Sequence, residues 1–394
     1  MRPSLGEQRL IIDEGVLDIN YIPSRLLHRE EQLRALRMTY DFMLSSPYEM
    51  SQRAIIVGGV GSGKTALARV FGKWLRDEAK RRRIKADYIH VNCRELRGSL
   101  FMVLRRVVKT LRPEFPERGY APNELMETLM QLLSEDNGQL LLCLDEVDAL
   151  INTEGSDALY PLTRVHESQP DAPRRLSLLL IAKDKAVFER LDRSTLSSLQ
   201  RTLIEMPEYS VPQLGEIVSA RVEAAFRKGA VPLEVVDFIA ELAAVEKGDA
   251  RCAIDLLWGA GKRAEMVGAT QVRPEHVRQV SSLVLSPVKK EGMNHLSIHE
   301  RLTLLAIARF FRISAAPQAT TGEVEQLYRV ACEERGETPR AHTQFWKYLE
   351  SLKSTGVITA KVESGNQGRT QLITLTKVSA EDLEREVLRG FEQK

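Results

Sequence analysis

Residues 58–65 read Gly-Gly-Val-Gly-Ser-Gly-Lys-Thr and follow the apolar run Ala54–Val57. Few folds accommodate a strand that breaks into so glycine-rich a loop. Glycines let successive backbone N–H groups curl around an anion. The stretch Ala66–Phe71 predicts a helix whose N-terminus faces that anion. In a phosphate-binding loop of this type, Lys64 reaches the β- and γ-phosphates and the Thr65 hydroxyl ligates Mg²⁺. The loop therefore predicts a nucleotide, a metal and a parallel α/β fold together.

A second motif supports it. Leu140–Leu144 is apolar and ends in Asp145-Glu146. A run this short suits a strand buried in a parallel sheet. At its carboxyl end Asp145 can hold Mg²⁺, usually through water, and Glu146 can polarise an attacking water as general base. Leu176–Ala182 predicts a further strand, followed by Lys183, which is either a phosphate contact or a surface lysine. Strands at 54–57, 88–92, 140–144 and 176–182, separated by helical stretches, give a parallel α/β sheet with its ligand at the strands' carboxyl ends. Between Lys64 and Asp145 there is room for an extra helical insertion, of which Ser99–Leu111 is a part.

A chain of 394 residues exceeds one ordinary core, so two or three domains are expected. No run of eighteen apolar residues exists, which predicts no spanning helix and no membrane partner. The segment MRPSLGEQRL lacks the apolar core of a signal peptide, so a cytoplasmic location is expected. Cys93, Cys143, Cys252 and Cys332 are far apart and argue against a zinc site or a disulfide framework; Cys143 reads as core. The net charge is only +2, but its distribution is uneven. From Arg76 to Arg112 twelve Lys/Arg face four Asp/Glu, a net of +8. From Thr338 to Lys377 six face two, a net of +4. Basic segments in a near-neutral chain suggest a polyanionic partner.

Beyond the sheet, Pro212–Arg227, Leu233–Glu246 and Ala250–Val267 carry apolar residues at helical spacing, punctuated by Pro232 and Gly248. Asp249 can cap the third of these helices, with Arg251 in its first turn. On a small helical lid over the sheet, Arg251 can reach the γ-phosphate; the alternative is a surface arginine paired with Asp255.

Residues 287–296 read as a linker. Helical patterns follow at Ser297–Arg312, Thr321–Arg335 and Arg340–Ser354, then alternating strands at Val357–Glu363 and Thr370–Leu375 around a glycine-tipped turn. Three helices and a hairpin are the order of a winged helix. Its third helix would present Arg340, His342, Thr343, Gln344 and Lys347 to a major groove. Phe345, Leu349 and Leu352 face the core, and Trp346 fits either side. In the wing, Asn366, Gln367 and Arg369 could enter a minor groove or touch phosphate.

The phosphate loop, the Asp145-Glu146 pair and the Gly-Asp-Ala-Arg251 motif together resemble the archaeal origin-recognition and cell-division-cycle-type AAA+ replication initiators. Ile22–Leu33, with His28-Arg29-Glu30, resembles the family's amino-terminal signature around adenine and ribose; Ile89–Arg94 resembles its second strand. The resemblance spans roughly residues 20 to 390. It implies an AAA+ domain over 1–206 with an initiator-specific insertion at about 95–135, a lid over 207–288 and a winged-helix DNA-binding domain over 289–394. It implies ATP or ADP as a conformational switch with slow hydrolysis. The implied partners are double-stranded origin DNA, the replicative helicase (MCM) and paralogous initiators. Candidate nucleotide-binding residues are Arg29, Gly58, Gly59, Val60, Gly61, Ser62, Gly63, Lys64, Thr65, Ala66, Tyr209 and Arg251. Arg105 and Arg106 of the insertion join the DNA-binding set. There are departures: the family usually has asparagine where Lys183 stands. The arginine that serves a neighbour's nucleotide is shifted, leaving Arg193 and Arg201 as candidates. An ATP-gated winged-helix transcription regulator, or another AAA+ machine, would use many of the same parts.

Overall fold

The structure is a computed structural model. It describes residues 9–116, 119–165, 173–199, 202–284, 296–314, 316–354, 357–365, 368–376 and 378–392. The chain divides into two compact bodies, 22–208 and 9–21 with 209–392.

The first body is built on five parallel strands: β1 (Arg53–Gly58), β2 (Ala86–Asn92), β3 (Gln139–Asp145), β4 (Leu176–Ala182) and β5 (Leu203–Met206), in the order β2-β3-β4-β1-β5. All seven residues of β3 and of β4 are buried, as central strands covered on both faces require. The helices are α1 (Glu30–Ser45), α2 (Lys64–Arg82), α3 (Leu100–Leu111), α4 (Pro122–Glu135), α5 (Val147–Glu154), α6 (Tyr160–Thr163) and α7 (Arg193–Leu199). One apolar layer joins α1 and α2 to one face of the sheet through Leu36, Tyr40, Leu67 and Phe71. The other face packs against α3, α4 and α5. The insertion is thus a helix pair whose buried residues include Val103, Val107, Leu125 and Leu129; α3 is the helix read at Ser99–Leu111, and α4 fills the rest of the stretch expected at about 95–135. The reading of Cys143 as core holds, since it is fully buried in β3.

The second body holds a helical part, α8 (Val211–Ala225), α9 (Leu233–Val245), α10 (Ala250–Met266) and α11 (Pro274–Val284), around one apolar cluster. Asp249 caps α10, accepting from the N–H groups of Arg251 and Cys252. Residues 9–21, which the sequence assigned with the nucleotide-binding domain, pack here instead. Glu265 accepts from the N–H groups of Leu10 and Ile11, Arg221 donates to the Val16 carbonyl, and Lys262 pairs with Glu14. The apolar residues Leu10, Ile11, Val16 and Leu17 complete the cluster, which is why this short segment leaves the sheet's body.

The rest of the second body is a winged helix: α12 (Ile298–Ile313), β6 (Ala319–Thr320), α13 (Thr321–Glu334), α14 (His342–Ser354), β7 (Ile358–Gly365), β8 (Gly368–Leu375) and α15 (Ala380–Glu392). The sheet order is β6-β8-β7 and antiparallel. Two-residue β6 and the closing helix α15, packed on α12, are additions to the expected elements. The linker expected at 287–296 lies almost wholly outside the described residues. Among the described residues no helix is long and apolar enough to cross a membrane.

Lid and winged helix are joined by Arg278, whose side chain has no exposed surface. Its guanidinium lies over the rings of Phe238 and Phe311, donates to the Ala316 and Pro317 carbonyls and pairs with Glu275 at 3.3 Å. Burial pulls the Arg278 pKa down and pushes the Glu275 pKa up, so each charge is held by the other. Removing one partner of such a pair strands the other. Arg278→Ala should therefore cost about 3–5 kcal/mol, read as a lowered unfolding transition in differential scanning calorimetry, while Arg385→Ala on exposed α15 should shift it by under about 1 kcal/mol.

Candidate functional site

The carboxyl ends of β1, β3 and β4 converge on one edge of the sheet. From β1 the chain enters the phosphate loop, where Gly61 (φ 73°) and Gly63 (φ 90°) take left-handed backbone that side chains disfavour. Gly58 has no room for a side chain, because an added Cβ would stand 2.5 Å from the Met206 carbonyl. Gly63 is the N-cap of α2, so this 19-residue helix points its positive end into the loop. Lys64 Nζ donates to the Gly58 and Gly59 carbonyls at 2.6 and 2.7 Å, folding the ammonium back across the loop.

Thr65 Oγ1 donates to Asp145 Oδ2 at 2.7 Å, joining the loop to the end of β3. A hydroxyl and a carboxylate oxygen side by side fit Mg²⁺, which takes one or two protein oxygens and completes its shell with water and phosphate. Among the described residues no group of three His, Cys, Asp or Glu is placed to hold a metal, so the fit rests on this pair. Burial alone would raise the Asp145 pKa; hydrogen bonds from His90 and Thr65 outweigh it and hold the carboxyl below its ordinary range. Glu146, next along, adopts left-handed backbone (φ 51°), is exposed and faces Arg94 at 4.0 Å. Lys183 follows the last β4 residue paired with β1; its N–H donates to Asp148, and it is exposed.

Arg29 is tied to the phosphate loop. It is 1% exposed and donates to the carbonyls of Ser62 (3.0 Å), His28 (3.1 Å) and Pro207 (2.6 Å). Its guanidinium supports the phosphate loop through the Ser62 carbonyl. Tyr209 and Arg251 belong to the second body. Tyr209 is buried, its backbone against Gly248. Arg251 is exposed, and its ion pair is with Asp249 at 3.7 Å rather than with Asp255. Arg193 opens α7 on the surface, and Arg201 lies outside the described residues.

Sequence reasoning missed His90 and Tyr88. His90 Nε2 lies 3.0 Å from Asp145 Oδ2, and the Tyr88 hydroxyl lies 3.0 Å from His90 Nδ1. The register explains the reach: His90 pairs with Cys143, two residues before Asp145 and on its face of the sheet. With Tyr88 donating to Nδ1, the imidazole donates through Nε2 to the carboxylate.

In the winged helix, α14 begins at His342, two residues later than expected. Arg340 is kept out of it: Tyr328 accepts its N–H and its Nε donates to His299. His342, Thr343 and Lys347 are exposed and Gln344 half-buried, whereas Phe345, Leu349 and Leu352 are fully buried. Trp346 is half-buried, its ring 6.3 Å from that of His342. Arg369 pairs with Ser364 across the hairpin; Asn366 and Gln367 lie outside the described residues. On α3, Arg105 lies over Phe101 and Arg106 is exposed.

Comparison with known proteins decides the family. The profile of an AAA domain matches residues 49–191, that of the Cdc6 AAA+ ATPase-type lid domain 215–282, and that of the CDC6 C-terminal winged helix domain 291–386. The ORC1-type DNA replication protein 2 of Saccharolobus solfataricus is 32% identical over 95% of this chain and 92% of its own length. The chain belongs to the ORC1/Cdc6-type replication initiators. The initiator fold is shared with the crystal structure of Cdc6p from Pyrobaculum aerophilum, 28% identical, at a TM-score of 0.86 over 98% of this chain and 99% of that one. The Aeropyrum pernix ORC1 protein in complex with DNA matches at 29% identity and a TM-score of 0.62, over 96% and 97%.

If His90 orients the Asp145 carboxylate, His90→Phe should weaken Mg²⁺-dependent ADP binding roughly tenfold, the low end for such orienting partners. Titration calorimetry with Mg²⁺ and with EDTA checks this. The EDTA affinity should stay unchanged; an equal loss in both would point to a damaged loop instead.

Proposed function

We propose that this initiator binds origin duplex DNA and helps recruit the replicative helicase, with ATP and ADP setting its conformation and hydrolysis slow. The observation that carries the reading is one chain with both parts. It has a phosphate loop joined to Asp145 through Thr65, and a winged helix whose recognition helix starts with exposed polar residues over a buried apolar face. In this reading Lys64 and Thr65 hold the nucleotide and Mg²⁺, Glu146 activates water, and Arg251 and Lys183 sense the γ-phosphate. Arg340, His342, Thr343, Gln344, Lys347, Asn366, Gln367 and Arg369 face the duplex. Arg105 and Arg106 add a second contact from the insertion. Support comes from the DNA complex of Aeropyrum pernix ORC1 and from the ADPNP–ADP complexes of the ORC2 protein of that organism, which is 26% identical with a TM-score of 0.64 over 98% of this chain and 99% of that one. The site of action would be nucleoid DNA, alone or with paralogous initiators.

The test is binding to duplexes from the organism's own intergenic DNA against random duplex at moderate salt. Tighter binding to an origin fragment, reduced by Arg369→Ala, is expected. Each lost phosphate contact should lower the log–log salt slope by about 0.9. Lys64→Ala should abolish nucleotide binding yet leave DNA binding in place, as a switch requires. Equal affinity for all duplexes would overturn origin recognition. Origin binding without helicase capture would favour a regulator of transcription.

A further inference from the structure

The start of the recognition helix is built on a buried histidine. His299, the second residue of α12, is 6% exposed. Its ring stacks on Tyr348 of α14 at 5.8 Å between centroids and 10° between planes. Its Nε2 lies 3.1 Å from Arg340 Nε, and its Nδ1 lies 2.9 Å from the hydroxyl of fully buried Tyr328 on α13. Counting donors fixes the tautomer. Arg340 Nε carries a hydrogen, so His299 Nε2 must be the lone pair, and Nδ1–H donates to the Tyr328 oxygen. That oxygen also accepts the Arg340 backbone N–H at 3.3 Å. Burial first, and then the Arg340 guanidinium, push the His299 pKa below its ordinary value, which keeps the imidazole a neutral acceptor at neutral pH.

Arg340 is therefore held at two points, its backbone N–H and its Nε, although its side chain is exposed. Among the described residues its Nη1 and Nη2 have no protein partner. A guanidinium fixed through Nε presents these two nitrogens as a planar fork, the shape that matches two oxygens of a phosphate. Phosphate contacts set register on a duplex, and a residue just ahead of the recognition helix suits that task better than base readout.

We infer that His299 is a positioning residue for DNA binding, which with Tyr328 presets Arg340 as a phosphate clamp at the head of the recognition helix. The inference rests on the reading that Arg340 faces the duplex. It names a group that never touches DNA, three elements away from the helix it serves.

The test is a double-mutant cycle on the full chain with a labelled duplex of random sequence, since a phosphate contact does not depend on sequence. Arg340→Ala should weaken binding severalfold and lower the salt slope by about 0.9. His299→Phe, which keeps the stack on Tyr348 but removes the acceptor, should lose a large part of the same affinity. The double variant should bind no more weakly than Arg340→Ala alone. His299→Gln, which keeps an acceptor, should recover part of the loss. If His299→Phe does not fold, Tyr328→Phe removes the other anchor, and its loss should likewise vanish in the Arg340→Ala background. Losses that multiply across the cycle would overturn the positioning role and leave the DNA-facing reading of Arg340 standing. No effect of Arg340→Ala on affinity or slope would overturn both.

Discussion

The hydrogen bond from Thr65 to Asp145 closes a loop of eighty residues and is the point on which the nucleotide site depends. It needs β1 and β3 to end at one level although β4 lies between them, which only a parallel sheet of this order provides. Once those ends are level, Lys64, Glu146 and Lys183 stand on the same edge without further instruction. The carboxylate at the centre is 3% exposed on its side chain and survives there because Thr65, His90 and the Glu146 N–H all donate to it. Since these bonds depress its pKa, the stability they confer is present above the ordinary carboxylate pKa of about 3.9 and fades as pH falls through the lower folded value.

How much of this was readable depended on whether a signal was local. The phosphate loop and Asp145-Glu146 are contiguous motifs, and the structure puts them where their strands predict. The winged helix was readable because Phe345, Leu349 and Leu352 repeat at helical spacing and the strands alternate. His90 was not, because a histidine in a strand acquires its partner from a neighbouring strand fifty-five residues on. Arg29 carried a family resemblance but no hint that it would be buried, since its three acceptors are main-chain carbonyls that no sequence pattern marks. Residues 9–21 were misplaced for the same reason: four apolar residues in a short segment do not say which cluster they will complete.

The second body shows how lid and winged helix share one unit. Arg278 from α11 reaches carbonyls that precede β6, and Glu241 of α9 holds both Gln318 and Lys361 of the winged helix. The exposed ion pair contributes little, about 0–1 kcal/mol. Arg278 differs, because a charge with no exposed surface can leave its carbonyls and Glu275 only by stranding them. The joint therefore favours a single arrangement of lid and wing over a range of them.

The chain passes between its two bodies at 21–22 and again at 208–209. Arg29 stands seven residues after the first crossing, and its guanidinium binds Pro207, one residue short of the last of that body. The same guanidinium binds Ser62 in the phosphate loop. One buried cation thus ties the loop to the chain near both connections. The Ser62 carbonyl cannot shift without the guanidinium following it or giving up a buried hydrogen bond, at a cost of about 1.5–3 kcal/mol for a charged donor. The tie between the loop and these two stretches of chain is therefore made through main-chain carbonyls, all gathered by one buried guanidinium.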